Sequence, residues 1–179
     1  MKNVFLFSFF SGFCLLMSSI PQLSIAQVLG REVPAVEIKN LDFDNVMTDA
    51  VIKNETGGPI IISFWATWCS PCKRELNNIQ EVYEEWQEET GVKLVAVSID
   101  DSRNMSKVPT YAYGQDWDYL VLMDPNHEFK RAMNVHNVPH TFLLDKQGKV
   151  VWQHNAYSPG DEDELYRLVT LVANDEPID

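Results

Sequence analysis

The sequence predicts an α/β domain with a mixed central sheet flanked by helices, and three observations carry that prediction. Apolar runs of strand length alternate with amphipathic runs of helix length through the middle of the chain. Two short apolar runs near the end are joined by Asp145-Lys146-Gln147-Gly148, and a further amphipathic helix follows them. The alternation implies parallel strands and the tight connection an antiparallel hairpin, so the sheet is mixed, with helices on both faces.

In chain order, the first strong strand is Ile60 to Trp65, which contains no charged residue. A helix is expected from about Pro71 to Glu89. Its Leu76, Ile79, Tyr83 and Trp86 build one apolar stripe, and Glu81, Glu84, Glu85, Glu88 and Glu89 give a solvated opposite face. Lys93 to Ile99 is the next strand, followed by a helical stretch between Met105 and Tyr113. Pro109 is awkward there: if Ser106 caps the helix, Pro109 falls in the first turn, where a missing N–H does no harm, and otherwise it kinks the helix. A strand at Tyr119 to Met123 and a short helix from His127 to Met133 come next. The hairpin strands are Thr141 to Leu144 and Val150 to Trp152, with Gly148 free to take a positive φ. The last helix, Asp161 to Val172, buries Leu165, Leu168, Val169 and Val172. It is entered through Asp161, Glu162 and Asp163, whose charges suit a helix N-terminus.

The beginning of the chain is an address. Lys2 supplies a positive start, Val4 to Met17 an apolar core, and Ser24 and Ala26 the small residues a signal peptidase cuts after, so residues 1–26 are expected to be removed near Gln27. A retained anchor helix is the alternative, but the apolar stretch is shorter than the roughly 20 residues of a span. Cys14 follows Phe13, whereas a lipid-anchor cysteine needs a small residue before it, so no lipid anchor is expected. No repeat or composition shift divides the remainder, residues 27–179, which is one domain with its core at about 33–175. Removal of the leader takes one of 14 basic residues, Lys2, and one of three cysteines, Cys14, and none of the 26 acids. The remaining chain is strongly acidic, which disfavours nucleic acid and anionic lipid as partners.

Its two cysteines form Cys69-Ser70-Pro71-Cys72, directly after the aromatic end of the first strand. Cys69 then stands at or just before a helix N-terminus, where unpaired N–H groups and the helix dipole stabilise a thiolate. Cys72 lies one turn further on, close enough to close a ring and shielded by the helix, so Cys69 is expected to be an exposed nucleophile and Cys72 its resolver. A disulfide placed for stability would span more chain: a loop of about four residues contributes roughly 2 kcal/mol, against about 4.7 for one of 100. A zinc site wants about four ligands, and His127, His136, His140 and His154 are scattered singly. Redox chemistry without a metal or another cofactor is the reading.

The stretch Phe64-Trp65-Ala66-Thr67-Trp68-Cys69-Ser70-Pro71-Cys72, followed much later by Val138-Pro139 and Thr141-Phe142-Leu143-Leu144-Asp145, resembles the thioredoxin superfamily. It is most similar to the extracytoplasmic TlpA/ResA-like thiol-disulfide oxidoreductases, from about Val33 to the C-terminus. The resemblance implies a thioredoxin fold with an N-terminal extension and an inserted strand and helix, and a redox disulfide between Cys69 and Cys72. It implies a cis Pro139 facing the thiols, with the backbone of Val138 available to pair with an extended substrate segment. It makes Glu75, three residues after Cys72 on the same helix face, a candidate to tune the cysteines and shuttle protons. Where thioredoxins carry a buried Asp two residues before the tryptophan, this chain has Ser63, so part of that task passes to Glu75.

Trp68, beside the nucleophile, is a candidate apolar platform for a partner protein, Trp65 is a core residue, and Lys73 and Arg74 are expected to point to solvent. Ser70 and Pro71 bring no charge between the cysteines, and Pro71 removes one amide donor. That favours a less oxidising pair than one containing His, hence a reductase or isomerase of protein disulfides outside the cytoplasm, in the bacterial periplasm. In the resembled family a membrane thiol-transfer protein supplies the electrons, and cytochrome c maturation is a common destination. The alternatives are a peroxiredoxin-like peroxidase, whose Pro and Thr ahead of the cysteine are missing here, and a copper carrier recruiting His136 or His140, against which the two-residue cysteine spacing counts.

Overall fold

The computed structural model describes residues 29–178, so the leader, its cleavage point and Cys14 lie outside the described residues. Seven strands form one mixed sheet. Three short elements come first: β1 (Glu37–Asn40), β2 (Asn45–Met47) and α1 (Thr48–Val51). Then follow β3 (Ile60–Trp65), α2 (Ser70–Thr90), β4 (Lys93–Ser98), α3 (Lys107–Gly114), β5 (Leu120–Met123) and α4 (Glu128–Ala132). The chain closes with β6 (His140–Leu144), β7 (Val150–Asn155) and α5 (Asp161–Ala173).

The sheet order is β2-β1-β5-β4-β3-β6-β7, with β3, β4 and β5 parallel and the remaining pairings antiparallel. Every residue of β3 and β6 is buried, as central strands covered on both sides require. Alternation along β3 divides the core. Ser63 and Trp65 face α2, α3 and α5: Ser63 approaches Thr141, which bonds to Glu75 of α2, and Trp65 packs on Tyr111 of α3 at 5.6 Å between ring centroids. Phe64 faces the other way, onto Phe129 of α4 at 5.3 Å and Phe142 at 6.0 Å. Helices therefore cover both faces.

The expected stripe of α2 is buried, and Cys72 and Glu75 extend it to the helix N-terminus. Gly91 ends the helix in the left-handed region at φ 67°, and Gly148 takes φ 80° in the β6–β7 turn. Pro109 is the third residue of α3, inside its first turn, but Ser106 makes no side-chain cap. The turn ahead of the helix is held instead by Asp101, whose carboxyl accepts the amides of Arg103 and Asn104 at 3.1 Å each. β7 runs three residues past the expected end because Gln153, His154 and Asn155 keep pairing with β6 after the apolar run has stopped. No helix among the described residues is long and apolar enough to cross a membrane.

Candidate active site

At the end of β3 the backbone turns through Ala66, Thr67 and Trp68 into α2. Cys69 is the N-cap of that helix, with extended backbone (φ −87°, ψ 97°), and its Sγ accepts the Cys72 amide at 3.3 Å. Cys69 and Cys72 are joined as a disulfide, with Cα atoms 5.4 Å apart. Pro71 is the second residue of the helix, where no intrahelical donor is lost. The expectation of an exposed nucleophile is corrected. Cys72 is fully buried, and in the disulfide Cys69 itself is only 5% exposed, its sulfur bonded to that of Cys72 and accepting the Cys72 amide.

The turn that presents Cys69 is clamped by Asp100. Its carboxyl, 1% exposed, accepts from the Thr67 amide at 2.8 Å, the Thr67 hydroxyl at 2.6 Å and the Ser98 hydroxyl at 2.8 Å. Sequence reasoning missed this residue. Its signal was two acids, Asp100-Asp101, placed immediately after an almost wholly apolar strand, where a carboxyl is buried unless it drops into solvent at once.

On the inner side of Cys72, Glu75 is 6% exposed. Its Oε1 accepts from the Thr141 hydroxyl at 2.7 Å, and Ser63 Oγ lies 3.4 Å from the same hydroxyl. Its Oε2 is buried without a hydrogen-bond partner. Burial pushes this carboxyl up to about 7; the Thr141 hydrogen bond opposes the rise, and the negative charges of Asp161 and Glu162 add to it.

The Val138–Pro139 peptide is cis. Because His140 pairs with Phe64, Pro139 falls at the end of the sheet from which Cys69 emerges. Val138, half-buried, and Trp68, 65% exposed, line one cleft of about 470 Å3, whose walls also carry Asp101, His127, Lys130 and His136. Trp65 is fully buried. Arg74 is exposed, whereas Lys73 is half-buried with its ammonium 5.3 Å from the Tyr111 ring centroid, so it does not simply point to solvent. His140 is stacked on Phe142 at 4.3 Å, with Nε2 3.1 Å from Gln153 Oε1, on the sheet face opposite Ser63 and Thr141. Burial holds its imidazole below the usual range. Among the described residues no three His, Cys, Asp or Glu side chains group closely enough to hold a metal ion.

The profile of the AhpC/TSA family matches residues 29–153, well over half of the chain. The chain belongs to that family. Within it, the ResA thiol-disulfide oxidoreductases are clear relatives. The chain is 27% identical to that of Bacillus thuringiensis subsp. konkukian over 77% of this chain and 76% of the relative, and 30% identical to that of Bacillus anthracis over 70% and 68%. Among solved structures, an uncharacterized thioredoxin-like protein from Porphyromonas gingivalis is 47% identical with a TM-score of 0.71, over 82% of this chain and 94% of that one. A putative thiol:disulfide interchange protein DsbE from Chlorobium tepidum is 25% identical with a TM-score of 0.67, over 81% and 96%. This AhpC/TSA member is thus a thiol-disulfide oxidoreductase on a thioredoxin fold. Its inserted helix and strand are α3 and β5, and its N-terminal extension is β1, β2 and α1.

Proposed function

We propose that the chain reduces or isomerises disulfides of proteins outside the cytoplasm, in the bacterial periplasm, after loss of residues 1–26. The thiolate of Cys69 attacks a substrate disulfide, a mixed disulfide forms, and Cys72 displaces the substrate while Glu75 takes its proton. The extended backbone of Val138 beside Pro139 receives the substrate segment, and Trp68 gives it an apolar platform. Electrons return from a membrane thiol-transfer protein, and cytochrome c maturation is one process such a reductant can serve.

The observation that carries the proposal is the position of Cys69 at the N-cap of α2, with a fully buried Cys72 closing the ring beneath it. An N-cap sulfur gains from the amide it accepts and from the helix dipole, while a buried partner is released only when the mixed disulfide brings a sulfur to it. The uncharged Ser70 and Pro71 supply little further stabilisation of the thiolate, which supports the reducing direction.

Cys72→Ser tests the route. Expressed in its native compartment, the variant accumulates mixed disulfides through Cys69, and their absence would defeat the proposal. The potential tests the direction: equilibration with glutathione should give a value closer to thioredoxin, about −270 mV, than to a strong oxidant near −120 mV.

A further inference from the structure

Glu75 Oε2 is the buried oxygen left without a partner, and Glu75 forms part of the wall of a small cavity enclosed by α2, β6, β7 and the start of α5. The cavity measures about 10 Å3, the lower limit for one water. Tyr157 and Glu162 line it as well. The Tyr157 hydroxyl donates to Glu162 Oε2 at 2.8 Å. Asn78, one turn beyond Glu75 on α2, donates to the Tyr157 oxygen at 2.7 Å and to Glu162 Oε1 at 3.1 Å. These bonds orient the Tyr157 proton towards Glu162 and leave the phenol oxygen one lone pair free to accept. Tyr157 is 8% exposed and Glu162 is half-buried, so the cluster leads from the interior towards the surface.

Other polar groups bear on Glu75. Thr141 of β6 holds its Oε1, Asp161 of α5 adds negative charge, and Tyr119, ahead of β5, senses the Glu75 charge. His154 of β7 reaches the cavity rim, 3.6 Å from Asp161. Only Tyr157 and Glu162 are joined to each other by a donor-to-acceptor bond pointing outward.

We propose that this cavity binds one water molecule, and that the water, Tyr157 and Glu162 form the path by which the proton on Glu75 exchanges with solvent. This rests on the roles given above to Cys69, Cys72 and Glu75. As Cys72 loses its proton to Glu75, its sulfur attacks Cys69 Sγ; the Cys69–Cys72 bond forms and the bond to the substrate sulfur breaks. The cysteine pair is oxidised, the substrate disulfide is reduced, and the departing thiolate takes its proton from solvent. Glu75 then gives its proton to the water, the water gives one to the Tyr157 oxygen, and Tyr157 passes its own to Glu162, which releases it.

The test is stopped-flow oxidation of the reduced chain, held at about pH 5 so that Glu75 carries its proton, by glutathione disulfide in buffer at about pH 8, at concentrations where the rate has reached its plateau. Glu75 must then release that proton along the path before it can accept one from Cys72 and resolution can proceed. Tyr157→Phe keeps the ring and should lower the plateau about tenfold, less than the loss of a direct acid or base, with an unchanged reduction potential. Glu162→Gln should lower it in the same sense. In a Glu75→Gln background, Tyr157→Phe should have no further effect, which a merely structural role would not produce. A wild-type plateau in both single variants, an equal slowing in the Glu75→Gln background, or a slowing produced by His154→Gln instead would overturn the path. A wild-type chain that does not exchange with glutathione at all would remove the underlying reading, and that result is distinct because it precedes any variant.

Discussion

Asp100 and Glu75 are both almost withdrawn from solvent beside the cysteine pair, yet their surroundings differ sharply. Asp100 receives three donors over its two oxygens and ties the Thr67 turn to the end of β4. Glu75 receives one donor on one oxygen, and its other oxygen is unpartnered. A buried carboxyl with filled lone pairs is a fastener, because every partner loses something when it goes. One with an unfilled oxygen is held less by hydrogen bonds than by its helix, and its protonation state is open to the surroundings. The site thus has a fixed outer side, which aims Trp68 and Cys69, and a chemically adjustable inner side beneath Cys72.

The strongest way to break this contrast is Asp100→Ala. It leaves the Thr67 amide and two hydroxyls without their acceptor, each costing about 1–3 kcal/mol when buried, so urea denaturation should show a loss of about 4 kcal/mol. A loss below about 1 kcal/mol would mean that water replaces the carboxyl freely and that Asp100 is no fastener.

Glu75→Gln tests the adjustable side, and the sign is fixed by the raised carboxyl. Because the folded value of about 7 exceeds the ordinary 4.5, the native state binds more protons than the unfolded chain between those values. Wild-type stability should therefore fall as pH rises from about 4.5 to 7 and level off above, a contribution on the order of 3 kcal/mol that the glutamine variant lacks. Denaturation of the oxidised proteins at a series of pH values would show the curves diverging across that window. Parallel curves would place Glu75 among ordinary exposed carboxylates.

How much of this was legible in the sequence depended on how local each interaction is. β3, α2 and the β6–β7 hairpin were readable because apolar runs, a helical stripe and a turn glycine each declare themselves within a few residues. β1, β2 and α1 were not resolved one by one: they are 4, 3 and 4 residues long, and a half-exposed edge carries little periodicity. Glu75 was placed correctly on the inner face by its three-residue offset from Cys72. Its partner Thr141 is 66 positions away and meets it only because β6 pairs with β3 in a register that sets Thr141 against Ser63. Asp100 and Thr67 are 33 positions apart and become neighbours through the parallel pairing of β3 with β4, which no local pattern encodes. The burial of Cys69 was hidden for a different reason. Its position at the helix start is legible in the sequence, whereas its burial accompanies the bond that ties its sulfur to the fully buried Cys72.

Trp68 offers the smallest effect and the sharpest separation of the two sides, since it follows Thr67 directly and is presented by the Asp100 clamp without being part of the core. At 65% exposure it packs little surface in the free protein, so Trp68→Ala should change stability by no more than about 0.5 kcal/mol. If its ring meets substrate in the cleft it shares with Val138, kcat/KM for a disulfide-bonded protein should fall about tenfold or more, as removal of an interface tryptophan does. Hydroxyethyl disulfide carries no peptide segment to lie along that cleft, and its reduction should proceed at the wild-type rate. An equal loss with both substrates would instead show that Trp68 acts on Cys69 itself, and the fixed side would then belong to the chemistry rather than to recognition.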